Sequence, residues 1–238
     1  SVLKTFNKKE LERRFEQSTY FFYTTTIKEN DSQALGKDLM PLFFEPIFLQ
    51  QPINDVDYIV RPDLFFQTNH EVAGKLVSYV TAQVKKKKKS VLDIYCGSGL
   101  LSIALAKQGF QVYGIEVQYP AIKCAKQSSI VAGTENLTTF QTGKADAIMQ
   151  KLHENKRTFA TIIVDPPRAG LHKNVIELLP KLGANQIIYI SCNPSTLARD
   201  AKDLIALGYA LKKTTPFEMF PMTYHMETVC TFENENIS

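Results

Sequence analysis

The sequence predicts an α/β fold built on a doubly wound, mostly parallel sheet, preceded by a small β-rich N-terminal segment. From residue 90 onward, short apolar runs alternate with segments of helical periodicity, which is typical of a parallel sheet with helices on both faces. Chemically unusual residues follow several of these runs, at the positions where such sheets bind ligands. A length of 238 residues, 44% of them hydrophobic, is sufficient for a sizeable core.

Residues 1–70 are expected to be a β-rich part of a larger accessory domain, and residues 71–238 are expected to form the main domain. Aromatic and β-branched residues are frequent before residue 70, which favours strands over helices. The expected elements are a charged amphipathic helix, a strand, a turn and a second strand interrupted by a proline, at residues 6–20, 19–27, 31–38 and 43–51.

The main domain is predicted to begin with a helix at residues 69–84, where Val72, Leu76, Val77 and Val80 share one face. Apolar, strand-like runs follow at residues 91–96, 111–116, 138–142, 161–165 and 186–191, and a last one lies at 228–232. Segments of helical character lie at residues 100–108, 120–132, 173–182 and 195–207.

The net charge of +4 is a weak indication of nucleic-acid binding. It depends entirely on the five lysines at residues 85–89, because the rest of the chain sums to −1. Such a run is more often a solvated helix end than a phosphate-binding patch, and we interpret it in that way.

Composition excludes several other classes of protein. There is no signal peptide at the start and no uninterrupted run of 18 apolar residues, so neither secretion nor a membrane span is predicted. The four cysteines are 28, 68 and 38 residues apart, which matches no zinc or iron–sulfur pattern. We therefore expect a reduced, cytoplasmic protein without a metal.

The first two predicted strands lead into a candidate cofactor site. The first is followed by the loop DIYCGSG at residues 93–99, where Gly97 and Gly99 would let the backbone approach a ligand closely. The third glycine of the dinucleotide fingerprint is missing. Glu116 ends the second strand, where a carboxylate can accept hydrogen bonds from both ribose hydroxyls of an adenosine. At this point an NAD enzyme and an S-adenosylmethionine-dependent methyltransferase are both compatible with the pattern.

The later strand ends carry candidate catalytic groups. DPPRAG at residues 165–170 predicts a rigid turn that holds Asp165 and its neighbours in place. Cys192, in SCNPST before a helix, is favourably placed to become a thiolate nucleophile, whereas the other three cysteines are interpreted as packing residues. Near the C-terminus, Glu227 precedes the last strand and is a candidate general base, and His225 is a weaker candidate.

Together these segments resemble the RNA uracil-5-methyltransferase family, whose members use S-adenosyl-L-methionine to make 5-methyluridine. DPPRAG and SCNPSTLARD, in this order and spacing, are its most specific motifs here. The matching segments are FFQTN, DIYCGSG, Glu116, DPPRAG, SCNPSTLARD and FPMTYHMETV, spread over residues 60–235. Methyltransferases acting on amino nitrogens usually have Asn-Pro-Pro-aromatic in place of DPPR, and RNA cytosine-5 methyltransferases use two cysteines in other motifs.

The resemblance implies a Rossmann-like methyltransferase fold and a covalent mechanism. It implies that Cys192 adds to carbon 6 of a flipped-out uracil, that Glu227 removes the carbon-5 proton, and that Arg168 orients the base or a catalytic group. The positions that correspond to S-adenosyl-L-methionine contacts are Gln67, Tyr95, Gly97, Gly99, Glu116 and Asp165. The implied partner is tRNA or rRNA, and we expect a monomer.

Two other functions stay open at this stage. One is a methyltransferase of the same fold that acts on another base or on protein, and the other is a non-catalytic RNA-binding or folding factor. The presence of both Cys192 and Glu227 argues against a binding factor. Leu100 stands where family members often have Asn, and the oligonucleotide-binding barrel and four-cysteine iron–sulfur motif of some relatives do not occur in this sequence.

Overall fold

A computed structural model describes residues 22–24, 39–41, 48–85, 90–219, 222–223 and 226–235. The chain divides into two compact units, the first comprising Ser1–Phe48 with Arg61–Phe65 and the second comprising Leu49–Val60 with Phe66–Ser238. The helix expected at residues 6–20, the turn at 31–38 and most of the lysine run lie outside the described residues.

The first unit contains a short antiparallel pair of strands. β1 (Phe22–Thr24) pairs with β2 (Leu39–Pro41), with Tyr23 opposite Met40. β1 lies within the strand expected at residues 19–27. In the second segment of this unit, Arg61 contacts Asp63 through two nitrogens. Its Nε donates to Oδ1 of Asp63 at 2.9 Å, and its Nη2 lies 2.5 Å from Oδ2.

The second unit begins with a hairpin that packs on two helices of the main sheet. β3 (Leu49–Ile53) and β4 (Val56–Val60) pair antiparallel around a turn in which Asn54 has φ +53°. The fully buried Tyr58 hydroxyl donates to the carbonyl of Leu100 at 2.9 Å. The Ile59 N–H donates to the Ser128 hydroxyl at 2.7 Å. The hairpin is therefore an integral part of this unit.

A seven-stranded sheet forms the centre of the second unit. Its strands are β5 (Ser90–Ile94), β6 (Gln111–Glu116), β7 (Thr138–Thr142), β8 (Thr161–Val164), β9 (Gln186–Ser191), β10 (Tyr209–Phe217) and β11 (Glu227–Asn234). Their order in the sheet is β10-β11-β9-β8-β5-β6-β7. β5 to β9 run parallel, and β11 pairs antiparallel with both β9 and β10. The strand order reverses between β5 and β8, so ligands are expected beyond the carboxyl ends of these strands.

Helices cover both faces of the sheet, and this separates the core into two clusters. α1 (His70–Gln83), α2 (Leu100–Lys107) and α3 (Tyr119–Val131) contribute to one cluster together with the hairpin. α4 (Ala145–Glu154), α5 (Lys173–Leu178) and α6 (Pro194–Ala206) contribute to the other. All four residues of β8 are buried, as expected for a strand covered on both faces. These features confirm the predicted fold class.

Several elements differ from the sequence prediction. The helix expected at residues 173–182 ends at Leu178 and is followed by a 3₁₀ turn, Pro180–Leu182, because proline has no N–H to continue the helical hydrogen bonds. Of the strand expected at residues 43–51, residues 43–47 lie outside the described residues, and residues 49–51 belong to β3, which continues to Ile53. Helix α4 and strands β4 and β10 were not among the expected elements. Among the described residues, no helix is long and apolar enough to cross a membrane.

Candidate active site

A loop of tightly turned backbone follows β5 and contains three residues of positive φ. These are Tyr95 (+67°), Gly97 (+53°) and Gly99 (+86°). The Gly99 N–H donates to the carbonyl of Cys96 at 2.9 Å, and Gly99 caps helix α2. A Cβ on Gly97 would meet no atom within 4 Å, whereas one on Gly99 would lie 3.1 Å from the Ala125 side chain. Gly97 therefore borders open space, and Gly99 is required by close packing.

Tyr95 has an unusual backbone for a residue with a side chain. Two hydrogen bonds fix it, because the N–H groups of Tyr95 and Cys96 both donate to the carbonyl of Ile115, at 2.9 and 3.1 Å. Burial, followed by the negative charge of Asp146, raises the pKa of the Tyr95 phenol to about 12. The phenol is therefore held in place as a neutral group at the edge of the loop.

Glu116 joins the loop after β5 to the loop after β6. Its carboxylate accepts hydrogen bonds from the backbone N–H groups of Gly97 at 3.3 Å and Gln118 at 2.9 Å, one on each oxygen. A carboxylate has about four acceptor positions, so both oxygens retain capacity for a ligand. This placement is compatible with the predicted contact to a ribose.

Asp93 is a buried acid that the sequence reasoning did not single out. Its carboxylate accepts a 2.5 Å hydrogen bond from the Ser102 hydroxyl, and only 1% of the residue is exposed. Burial raises the pKa of Asp93 to about 7, although the hydrogen bond from Ser102 lowers it. A lone acid inside the apolar run of β5 is a signal that could have identified it, since buried charges need a partner.

Asp165 lies at the end of β8, where its N–H donates to the carbonyl of Ile94 at 3.3 Å. Removal from water raises the pKa of its carboxyl well above the ordinary value, and the charges of Glu227 and Asp93 raise it further. The following turn closes with a 2.8 Å hydrogen bond from the Gly170 N–H to the carbonyl of Pro167. The DPPRAG segment is thus a tight turn, as expected.

Cys192 sits between β9 and helix α6 in a loop with several internal hydrogen bonds. The Asn193 N–H donates to the Ser191 hydroxyl at 3.0 Å, and the Asn193 side chain caps α6 by accepting from the Ser195 N–H at 3.1 Å. Pro194 occupies the first turn of the helix, where its missing N–H is not needed. The Cys192 side chain is half-buried.

Glu227 begins β11, directly beside this loop. The pairing of β9 with β11 ends at Ser191 opposite Thr228. Cys192 is the residue after Ser191, and Glu227 is the residue before Thr228, so the two lie next to each other just past the end of the paired segment. Glu227 is only 8% exposed, and burial raises the pKa of its carboxyl, while the positive charge of Arg168 lowers it. The strand pairing therefore brings the two candidate catalytic residues together.

Four candidate residues share one electrostatic environment. Burial raises the pKa of the Cys192 thiol, and the nearby charges of Glu227 and Asp165 also raise it, whereas that of Arg168 lowers it. The start of α6 was expected to favour a thiolate, whereas burial and the charges of the two carboxylates act against it. Arg168 is the positive charge that acts on both Cys192 and Glu227.

Gln67 does not follow a strand of the main sheet but lies in the segment before α1. Its neighbour Phe66 packs against the ring of Tyr58, with centroids 6.0 Å apart. Asn69 caps α1 by accepting from the Val72 N–H at 3.2 Å and donates to the carbonyl of Met219 at 3.2 Å. Gln67 is half-buried in this anchored segment. His225 lies outside the described residues.

Asp200 is a second acid that the sequence reasoning did not single out, although it belongs to the SCNPSTLARD motif. It occupies the apolar face of α6 with Leu197 and Leu204, three and four residues away, and its side chain is fully buried. A charge on an apolar helix face is a sequence signal for a buried polar contact.

Comparison with known proteins gives the family of the chain. The sequence model of the tRNA (uracil-5-)-methyltransferase family matches residues 47–235. An uncharacterized RNA methyltransferase of Oceanobacillus iheyensis is 35% identical over 225 residues, which is 93% of this chain and 48% of that protein. One of Chlorobaculum tepidum is 37% identical over 188 residues, 78% of this chain and 39% of that protein. The chain thus spans less than half the length of these relatives.

Solved structures give the same result. The crystal structure of Pyrococcus abyssi tRNA (uracil-54, C5)-methyltransferase in complex with S-adenosyl-L-homocysteine superposes with a TM-score of 0.72 at 33% identity, covering 89% of this chain and 50% of that one. An S-adenosylmethionine-dependent methyltransferase of Agrobacterium tumefaciens has a TM-score of 0.60 at 14% identity, over 82% of this chain and 72% of that one, and shows the fold alone. The chain belongs to the tRNA (uracil-5-)-methyltransferase family.

Proposed function

We propose that this chain transfers a methyl group from S-adenosyl-L-methionine to carbon 5 of a uridine in RNA, through a covalent adduct of Cys192 at carbon 6. The observation that carries the proposal is the position of Cys192 beside Glu227 at the end of the β9–β11 pair, in a chain of this family. A nucleophile and a base at one point, with Arg168 acting on both, match the needs of this reaction.

The residues at the carboxyl ends of β5, β6 and β8 fit the cofactor. Glu116 supplies a carboxylate here, and burial raises the pKa of the neighbouring Asp93 and Asp165, so a nearby positive charge would favour the ionised form of these two acids. A ligand with a sulfonium and an ammonium group supplies such a charge. Glu116 would hold the ribose, and the open space at Gly97 leaves room for the ligand beside the backbone. When bound, S-adenosyl-L-methionine supplies an electrophilic methyl group.

The reaction divides between Cys192 and Glu227. Once the half-buried Cys192 thiol has lost its proton to solvent, its sulfur forms a bond to carbon 6 of the uracil. This makes carbon 5 nucleophilic enough to take the methyl group, with S-adenosyl-L-homocysteine as the leaving group. Glu227 then accepts the proton from carbon 5, and the sulfur–carbon bond breaks, so the thiolate is regenerated. The raised pKa of Glu227 increases its strength as a base. The target base must leave its stack to reach these side chains.

Arg168 gives the site its positive charge. It lowers the pKa of both Cys192 and Glu227, so it favours the thiolate before attack and the carboxylate before proton transfer. Its peptide carbonyl accepts a 3.1 Å hydrogen bond from the Asn193 side chain, and the Thr196 hydroxyl lies 3.2 Å from it and 3.1 Å from the Asn193 carbonyl. The guanidinium is therefore in a position to orient the uracil against the thiol.

The test uses S-adenosyl-L-methionine with a labelled methyl group and unmodified RNA. The tRNA and rRNA pools are kept separate, and tRNA is tested first because the Pyrococcus abyssi relative is named as a tRNA methyltransferase. Digestion and mass spectrometry identify the methylated nucleoside for the wild type, Cys192→Ser and the control Cys230→Ser. We expect 5-methyluridine with the wild type and the control, and none with Cys192→Ser.

The control has a physical basis. Cys230 lies in β11 three residues after Glu227, is 3% exposed, and its sulfur is 3.4 Å from the Thr214 hydroxyl, so a hydroxyl at this position keeps a polar partner. A methylated base other than uridine contradicts the proposal. So does a chain that binds the cofactor but transfers no methyl group to either RNA pool.

A further inference from the structure

The buried carboxylate of Asp200 joins the loops that carry Arg168 and Cys192. Its Oδ2 accepts hydrogen bonds from the Leu171 N–H and from the Tyr189 phenol, both at 2.7 Å. Leu171 directly follows the DPPRAG turn, and Tyr189 lies in β9 shortly before Cys192. One acid on helix α6 therefore holds a turn and a strand at the same time.

Arg199 extends this connection to the carbonyls of the turn. Its Nε donates to Asp200 at 2.8 Å, and its terminal nitrogen donates to the carbonyls of Ala169 at 2.9 Å and Leu171 at 3.4 Å. The Asn193 side chain donates to the next carbonyl, that of Arg168, and the Thr196 hydroxyl lies within donating distance of both that carbonyl and the carbonyl of Asn193. We call Asn193, Thr196, Arg199 and Asp200 the loop clasp.

Gly170 shows how closely the loop clasp fits the turn. A Cβ at this position would lie 2.6 Å from both the terminal nitrogen of Arg199 and Oδ2 of Asp200. It would also lie 3.1 Å from Cβ of Thr196. Since φ of Gly170 is +78°, the turn needs glycine for its backbone as well. The contact leaves no space for the turn to shift toward α6.

We propose that Asp200 is a positioning residue of the methyl transfer, which acts through the loop clasp to hold the backbone of Arg168 and thus its guanidinium beside Cys192 and Glu227. The inference rests on the proposed function, because it assigns a role within that reaction. Asp200 itself lies behind the turn, with its carboxylate fully enclosed, and is not a catalytic residue in this proposal.

A purely structural role for Asp200 predicts a different outcome from a positioning role. The charges that act on the Cys192 thiol are those of Glu227, Arg168 and Asp165. Loss of the Asp200 charge alone would therefore leave the pKa of Cys192 unchanged. Displacement of Arg168, in contrast, removes the positive charge that lowers it, so the pKa would rise.

The first experiment measures the rate of Cys192 alkylation by iodoacetamide against pH in the full chain, with peptide mass spectrometry to identify the modified cysteine. Asp200→Asn keeps the shape of the side chain and removes its charge, and we expect its alkylation profile to move to higher pH than that of the wild type. The matched control is Asp203→Asn, which removes an exposed carboxylate from the same helix. We expect no movement for the control.

A second variant covers the case in which Asp200→Asn fails to fold, as judged by circular dichroism. Thr196→Val removes the hydroxyl that lies 3.2 Å from the Arg168 carbonyl and 3.1 Å from the Asn193 carbonyl, and leaves the Asp200 contacts intact. We expect its alkylation profile to move in the same direction. In methyl transfer, both variants should lower kcat by about tenfold or more while KM for the cofactor is unchanged, because small displacements of positioned groups mainly affect the chemical step.

The outcomes separate this inference from the proposed function. If folded Asp200→Asn and Thr196→Val both show the wild-type alkylation profile, the positioning role is overturned, whatever the activity. A shift in folded Asp200→Asn, with none in Asp203→Asn, supports it, and a folded Asp200→Asn with the wild-type profile overturns it. Where Asp200→Asn does not fold, the profile of Thr196→Val decides in the same way. If the wild type transfers no methyl group, the proposed function fails, and the alkylation profiles still decide whether the loop clasp controls the environment of Cys192.

Discussion

Cys192 and Glu227 each lie one residue beyond Ser191 and Thr228, the last registered pair between β9 and β11. The two strands are antiparallel, so β11 begins where β9 ends. Because register fixes which residues face each other, a shift by one residue would turn Glu227 to the opposite face of the sheet. The pairing of these strands, rather than proximity along the chain, creates the candidate pair.

The reactivity of Cys192 should respond in opposite directions to loss of its two charged neighbours. Glu227→Gln removes a negative charge that raises the pKa of the thiol, and Arg168→Met removes a positive charge that lowers it. At a fixed pH above neutrality, we expect faster alkylation of Cys192 in Glu227→Gln and slower alkylation in Arg168→Met than in the wild type.

The control for this pair is Lys173→Met, which removes a positive charge from a side chain that is 83% exposed. We expect the wild-type rate. A change in the same direction for Glu227→Gln and Arg168→Met would show that general opening of the site, rather than charge, sets the reactivity of Cys192.

The sequence predicted the parallel strands well because their signals are local. β6, β7 and β9 occupy the expected residues 111–116, 138–142 and 186–191. β10 was not expected, since its centre contains Lys212 and Lys213 in exposed positions. An edge strand with Pro216 opposite Thr228 depends on pairing with β11, which local composition does not report.

The missed helix α4 is a different case, because its signal is present. Ala145, Ile148, Met149 and Leu152 are its buried residues and follow helical spacing. In the candidate site, the expected residues of the strand ends come together, but Asp93 and Asp200 were not identified. Their importance depends on burial and on Ser102, Tyr189 and Leu171 as partners, which are known only from the tertiary structure.

Replacement of the candidate base should trap the covalent adduct. In Glu227→Gln the amide cannot accept the carbon-5 proton, so the bond between Cys192 and the uracil should persist after methyl transfer. We expect a protein–RNA species that survives denaturing electrophoresis and carries the labelled methyl group. The double variant Cys192→Ser/Glu227→Gln should form none. Full turnover by Glu227→Gln would exclude Glu227 as the base that regenerates the thiolate.

Replacement of the two glycines of the loop after β5 by alanine should have different effects on stability and on ligand binding. Ala at Gly99, with φ +86°, would place its Cβ 3.1–3.3 Å from Ala125, Ile103 and Phe140, so we expect Gly99→Ala to lower the free energy of unfolding. The loss should be about 2–4 kcal/mol. In Gly97→Ala the new Cβ meets no atom within 4 Å. The free energy of unfolding should therefore fall by only about 1 kcal/mol, the cost of a positive φ for a residue with a side chain.

Gly97→Ala, the variant with the smaller loss of stability, should show the larger loss of affinity for S-adenosyl-L-homocysteine. A methyl group at Gly97 would enter the space next to the Glu116 contact, so we expect Gly97→Ala to weaken binding about tenfold in calorimetry. If Gly97→Ala binds as tightly as the wild type, the ligand does not pass beside this residue. Urea unfolding of both variants provides the stability comparison.

The pKa of Asp93 predicts how the stability of the protein changes with pH. It is about 7 in the folded chain against 3.8 for an ordinary aspartate, so folding favours the protonated form. The contribution of Asp93 to stability is therefore fully present below about pH 4 and is lost as the pH rises through 7.

Asp93→Asn is neutral at every pH, and its amide oxygen can still accept the hydrogen bond from Ser102. At pH 8 we expect its free energy of unfolding to exceed that of the wild type by on the order of 2–4 kcal/mol, and the difference should shrink as the pH falls to 5. Urea unfolding across this range tests the prediction, with the exposed Asp57→Asn as the control that should follow the wild type. Equal destabilisation of Asp93→Asn at pH 5 and pH 8 would mean that the Asp93 carboxylate stabilises the fold in its charged form, contrary to the effect of its burial.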